Sequence, residues 1–266
     1  MTTAEACRNY HEGVIRLMIW NVWHLANRTD PSVDVTEALD RRIDICRKTT
    51  VHDGRHPAVG LDPPNLAWYE LRDRLAERVI AHASASDTAK LEDECWSILE
   101  PFVLPTIPDT CAKTEAGRKR PYRSWGLDLK REGRTVNVHF SNVDQPDSPF
   151  GDQTRARTAG DLLRLLQDAK SAHPDADRVE CSSWLCAFPA FLGLFPPEFS
   201  ASYTPVYDYY GTYGWWGQYM DHRGAYHQRN GTWFRMSGEH PYVSGVASAG
   251  LETTQAHLTR LIGNVG

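Results

Sequence analysis

Long hydrophobic runs are missing from this chain. No stretch approaches the roughly 18 apolar residues of a membrane-spanning helix, so none of the 266 residues is read as a span and no membrane is expected as a partner. An excess of positive charge is missing too. Lys and Arg number 29 against 34 Asp and Glu, the formal net charge is −5, and the one basic run, Arg118-Lys119-Arg120, is short. Nucleic acid is therefore not an expected partner. The start, Met1 to Glu12, carries acidic and polar residues where a secretory signal needs a basic flank and an apolar run, and the expected location is the cytoplasm. Cys7, Cys46, Cys95, Cys111, Cys181 and Cys186 include no Cys-x2-Cys pair, which argues against a zinc ribbon; no metal is expected, and in a reducing compartment these are free, mostly buried thiols. There is no Gly-x-Ser-x-Gly elbow, so an α/β-hydrolase triad is unsupported. Repeats and low-complexity tracts are absent.

What is present is ordinary globular material, 41% hydrophobic and 24% charged, enough for one large domain or two modest ones. Aromatic residues are the exception. Nine Trp and eleven Tyr occur, with most of the Tyr between Tyr203 and Tyr242; such crowding suits a pocket wall or a rigid core.

Residues 1–108 read as a helical lobe. Asn9–Asn27 places Val14, Leu17, Met18, Asn21, Val22 and Leu25 at helical spacing. Further helices are expected from Val35, with Leu39, Ile43 and Cys46 on one face, from Asn65, and from Asp87 to Pro101, with a loop over His52–Pro64. Residues 109–121 lack a hydrophobic period and read as a linker. From Tyr122 the period becomes two: Trp125, Leu127 and Leu129, then Val136, Val138 and Phe140, about a Glu132-Gly133 turn, predict a β-hairpin. Ala159–Ala172 follows as an amphipathic helix, Arg178–Trp184 as a strand, and Ala187–Phe195 as a short helix. After residue 200 a strand over Tyr203–Tyr210, a helix over Trp215–Arg229 and a terminal helix over Gly250–Ile262 are expected. The fold class is therefore mixed, a helical N-terminal bundle followed by an α/β lobe over 122–266.

Three groups of residues carry candidate chemistry. A strand, loop and helix across Arg134–Phe199 would set backbone N–H groups and a helix N-terminus at one point, an anion site that Arg155 and Arg157 could reinforce. Alternation places Asn137, His139 and Ser141 on one strand face, where His139 could act as general base. The aromatic stretch Tyr203–Tyr242 adds Tyr219, His222, Arg235 and His240, whose acid–base behaviour burial would tune. The plainer alternatives are surface arginines on an ordinary β-α-β unit, a solvated strand face, and a satisfied aromatic core.

The run Arg157-Thr158-Ala159-Gly160-Asp161-Leu162-Leu163, continuing through Arg178-Val179-Glu180-Cys181-Ser182-Ser183-Trp184-Leu185 to Phe188–Phe195 and Pro196-Pro197, resembles the central segment of GNAT-like acyltransferases. The resemblance covers about residues 122–200 and implies a GNAT-like mixed sheet that binds acyl-CoA. It is similar to a bacterial branch in which a helical domain precedes the GNAT-like one. In that family an Arg/Gln-x-x-Gly-x-Gly/Ala loop cradles the pyrophosphate; here Arg157, Thr158 and Gly160 fall in the loop, and Leu162 stands where a second small residue is usual. The implied activity is transfer of an acyl group to a small molecule of specialised metabolism, with His139 or Glu180 as base and Tyr219, beside His222, as donor. Two other readings stay open: a cofactor-independent isomerase, cyclase or hydrolase with an aromatic-lined pocket, and a non-catalytic ligand-binding protein with a degenerate GNAT-like core.

Overall fold

A computed structural model describes residues 2–207 and 213–263. In chain order its longer elements are α1 (Thr3–His24), α2 (Val35–Arg41), α3 (Leu66–Ala81), α4 (Ala89–Val103), α5 (Ile107–Arg118), β1 (Trp125–Lys130), β2 (Thr135–Phe140), α6 (Asp152–Ala172), β3 (Arg178–Ser183), α7 (Pro189–Leu192), α8 (Pro197–Ala201), β4 (Thr204–Pro205), α9 (Tyr213–Trp216), α10 (Gln228–Ser237), β5 (Gly245–Gly250) and α11 (Leu251–Gly263). The architecture is mixed α and β. Among the described residues no helix is long and apolar enough to cross a membrane.

The chain divides into two compact units, and the division is not the one expected. Unit 1 is Met1–Cys111 with Asp208–Pro241, and unit 2 is Ala112–Tyr207 with Tyr242–Gly266. Two boundaries are thereby corrected. The expected linker 109–121 is mostly helix, because α5 starts on Ile107-Pro108, where proline is tolerated at a helix start, and continues through the helix formers of Ala112–Arg118 without an apolar stripe. The aromatic segment after residue 208, assigned to the α/β lobe on sequence order, groups with the N-terminal helices.

Unit 1 is built around α1. Thr2 and Glu5 form a capping box at its start, the Thr2 hydroxyl accepting from the Glu5 N–H and the Glu5 carboxylate from the Thr2 N–H. Val14, Ile15, Leu17, Met18, Ile19 and Val22 are fully buried, so apolar residues surround the helix on nearly every side, as a central helix requires. α2, α3 and α4 supply Leu39, Trp68, Leu75, Val79, Leu91 and Leu99 to the same core, which Trp216, Tyr219 and Phe234 complete. The expected helix over Trp215–Arg229 does not form. α9 passes into a short 3-10 turn, Gly217–Tyr219, and an irregular stretch leads to α10, with His227 as N-cap. Gly224, at φ 85°, makes the turn that a continuous helix would not allow.

Unit 2 is a five-stranded sheet in the order β1-β2-β3-β5-β4. β1 and β2 are the expected hairpin, closed by Arg131, Glu132 and Gly133 in left-handed conformation. α6 carries the chain over to β3, which lies parallel to β2, while β5 runs antiparallel to both β3 and β4. Val136, Val138, Val179, Cys181, Ala247 and Ala249 share one buried core with Leu162, Leu165 and Leu166 of α6 and Leu258 of α11. The other face carries Lys130, Asp128, Asn137, His139, Glu180 and Ser248 by strand alternation. Of the expected strand over Tyr203–Tyr210, Thr204–Pro205 is strand and residues 208–210 lie outside the described ones. β5, made of Gly, Ala, Val and Ser, went unread. Gly245 has no room for a Cβ, which would collide with the Tyr203 ring.

Candidate functional site

The polar sheet face of unit 2 gathers two of the four expected catalytic residues. Register sets Asp128 opposite Asn137 on the hairpin, and Asn137 opposite Glu180 across the parallel pair. Asn137 Nδ2 donates to Asp128 Oδ1 at 2.6 Å, and His139 Nε2 lies 3.0 Å from the same oxygen. Burial works against the Asp128 carboxylate, but these hydrogen bonds prevail and hold its pKa below the ordinary 3.8. With Nε2–H given to Asp128, His139 keeps its lone pair on Nδ1, on a side chain 60% exposed. That is the geometry of a general base with an orienting carboxylate. Asn137 Oδ1 is buried with no hydrogen-bond partner among the described residues.

Glu180 occupies the same face in a different role. Its Oε1 accepts from Lys130 Nζ at 2.9 Å, Arg131 lies 3.9 Å from Oε2, and the side chain is nearly buried. With a cation at each oxygen it serves as a counter-ion rather than a base.

Tyr219 and His222 belong to unit 1. The Tyr219 hydroxyl shares a hydrogen bond of 2.7 Å with His240 Nδ1, and burial drives the phenol pKa far above 10. His240 is stacked on Phe234 at 4.3 Å and beside Trp215 at 4.7 Å, and burial lowers its pKa to about 3. This pair is the satisfied aromatic core offered as the plainer alternative. His222 is exposed in the irregular stretch before α10.

The expected phosphate residues are also placed differently. α6 begins at Asp152, seven residues before the expected start at Ala159, so Arg155, Arg157, Thr158 and Gly160 lie within the helix rather than in a loop before it. Their amides belong to turns whose N–H groups bond along the helix axis. Arg155 Nη2 donates to the Gly193 carbonyl at 2.9 Å, Arg157 pairs with Asp144 at 2.8 Å, and the buried Thr158 hydroxyl donates to the Pro149 carbonyl at 2.8 Å. The helix start is instead Gly151-Asp152, with an acidic side chain in the first turn.

Sequence reasoning missed a feature at the carboxyl ends of β2 and β3. The two strands pair only from Thr135 and Arg178 to Asn137 and Glu180, yet β2 continues to Phe140 and β3 to Ser183. Beyond Asn137 and Glu180 they part. Half-buried rings cluster at that end: Phe140 and Phe150 at 5.1 Å, Phe188 and Tyr242 at 5.3 Å, Trp184 and Tyr242 at 5.6 Å. The carboxyl end of parallel strands joined by a crossover helix is where open α/β sheets receive ligands. Only Phe188 and Trp184 stood in a quoted motif, and periodicity says nothing of where strands separate.

A groove of about 300 Å³ in unit 1, bordered by Thr36, Asp40, Arg41, Pro57 and Gly60, offers less chemistry, since Asp40 is taken by Trp68 Nε1 at 2.7 Å and Arg72 at 2.8 Å. Among the described residues no group of three or more His, Cys, Asp or Glu is arranged to hold a metal ion. No family model, curated protein or solved structure matches the chain.

Proposed function

We propose that unit 2 is an acyl-transfer module that takes an acyl-thioester of the coenzyme A type as donor and a small-molecule amine or hydroxyl as acceptor. The observation that carries this reading is the parting of β2 and β3 beyond Asn137 and Glu180. Facing strand edges that stop pairing leave peptide groups in want of partners, and a linear, amide-bearing thioester arm fits between them as a short extra strand would. The strand–helix–strand order over residues carrying the resemblance to GNAT-like acyltransferases supports the same reading.

In this mechanism the acceptor lies on the polar sheet face. Its N–H or O–H gives a proton to His139 Nδ1 as the nitrogen or oxygen attacks the thioester carbonyl, and Asp128 stabilises the imidazolium that forms. The C–S bond of the donor then breaks, and its thiol leaves with the proton that His139 returns.

A second reading, cofactor-free proton transfer at the same His139–Asp128 pair, is favoured by one observation: Arg155 and Arg157 are already engaged within the protein. Calorimetric titration of acetyl-CoA and free CoA separates the two. Binding of both is expected. If neither binds at millimolar concentration, the thioester donor is wrong and the cofactor-free reading stands. With binding in hand, His139→Ala should keep CoA affinity and slow CoA release in the presence of primary amines by about 10²–10⁴-fold; an unchanged rate removes His139 from the mechanism.

A further inference from the structure

β1 and β5 carry three glycines, and two of them are explained by what surrounds them. A Cβ on Gly245 would collide with the Tyr203 ring, and one on Gly250 would lie 3.1 Å from Thr253 Oγ1. Gly126 of β1 has no such neighbour, since a Cβ built there meets nothing within 4 Å. Its backbone does not call for glycine either. It sits in regular strand, paired with His139, and its φ is not in the left-handed region. Glycine inside a strand weakens it, and one that neither backbone nor packing demands marks a place where another group approaches closely.

The space left at Gly126 adjoins the acid–base pair. Residues directly opposite across an antiparallel ladder have Cβ positions about 5 Å apart, and Gly126 stands directly opposite His139. From there the His139 ring leans toward its diagonal neighbour Asp128, whose Oδ1 lies 3.0 Å from Nε2. The room that a side chain at position 126 would fill is thereby left open beside the ring. β1 is also a terminal strand of the sheet, so this room continues past the sheet edge.

We propose that Gly126 is the floor of the substrate subsite at the His139–Asp128 pair, and that it sets the size of the group that lies against the imidazole. The inference rests on the reading of that pair as the acid–base site, and it serves the acyl acceptor and the substrate of a cofactor-free proton transfer alike. For an acceptor amine or hydroxyl, the carbon bearing the nucleophile then carries a broad substituent, such as a ring, which lies over Gly126 and projects beyond β1. A side chain at 126 narrows that room from below. Alanine excludes the broad substituent and spares a methyl group, whereas leucine reaches the imidazole and excludes both.

Two measurements on the full-length chain test this. The first needs no substrate: diethyl pyrocarbonate acylates neutral imidazoles through the ring lone pair, and peptide mass spectrometry reads each histidine separately. Carbethoxylation of His139 should slow several-fold in Gly126→Leu, while His222, exposed in unit 1, reacts at an unchanged rate. The second follows CoA release from acetyl-CoA with methylamine and with benzylamine. The native chain should use both amines. Gly126→Ala should lower kcat/KM for benzylamine about tenfold more than for methylamine, the scale on which small changes in apolar fit discriminate. Both variants should melt no lower than the native chain, because each replaces a strand glycine where there is room.

Unchanged carbethoxylation of His139 in Gly126→Leu would overturn the proposal, as would equal effects of Gly126→Ala on the two amines. A lowered melting temperature in Gly126→Ala would do the same, by giving the glycine a structural role. Shielding of His139 with no CoA release by the native chain removes the acyl-transfer reading and leaves the subsite in place.

Discussion

Tyr226 shows how one side chain can dictate composition far from it in sequence. Its ring lies where a Cβ on Gly13 of α1 would fall, and its hydroxyl lies where a Cβ on Gly231 of α10 would fall. Both glycines are helical, so their use here is space rather than backbone freedom. Gly13→Ala should destabilise by about 1–3 kcal/mol, the usual cost of overpacking, although alanine is the better helix former; urea unfolding measures it, and stabilisation would refute the account. His240 makes an equally local prediction about pH. The folded ring stays neutral down to about 3, against an ordinary 6.5. Between those values the unfolded chain binds the extra proton, so stability should fall as pH is lowered through that window and be unaffected by this group above it. His11, lowered to about 4 by burial and then by Lys48, acts in the same direction. His240→Gln, which keeps an acceptor for Tyr219, should flatten the slope by up to about 1.4 kcal/mol per pH unit, read from urea midpoints between pH 6.5 and 4.

Arg235 of α10 and Glu92 of α4 tie two elements of unit 1 through paired bonds of 2.7 and 2.8 Å, and the Thr88 hydroxyl adds a third at 2.8 Å. Arg235→Ala leaves a mostly buried carboxylate with the Thr88 hydroxyl as its hydrogen-bond partner among the described residues. A loss of about 3 kcal/mol is expected, with recovery in the double variant that also carries Glu92→Gln, and both are readable by thermal unfolding. The elements themselves differed in how plainly the residues announced them. The β1–β2 hairpin, β3 and α11 follow from apolar spacing, because each has one side to bury, and α1 follows from apolar residues recurring at helical spacing along its length. α5 has no such stripe, and its propensity was the only signal. The start of α6 was misplaced because Gly151–Thr158 is polar, and solvated helical turns leave no period. β5 is short in apolar bulk because Tyr203 presses on it, so its sequence reads as loop.

Unit 1 borrows a distant segment, and this has a consequence for the intact chain. Trp216, Tyr219 and Phe234 are fully buried members of its core, so a fragment ending at Cys111 lacks three of the largest side chains that core uses. Such a fragment should keep helical far-UV dichroism and lose the near-UV signal of fixed aromatic packing; a native-like near-UV spectrum would show that the segment is dispensable. Composition and periodicity alone determined a mixed helical and sheet protein, the hairpin, the central helices and the polar strand face bearing Asn137 and His139, because these depend on neighbours within a few residues. Tertiary structure decided the rest. It assigned Tyr219 and His222 to the helical unit, set Asp128 against His139 and Lys130 against Glu180, engaged Arg155 with Gly193 and Arg157 with Asp144, and parted β2 from β3. Each of these depends on which strands and helices become neighbours across long stretches of chain, and that is settled by the burial of whole faces rather than by local pattern.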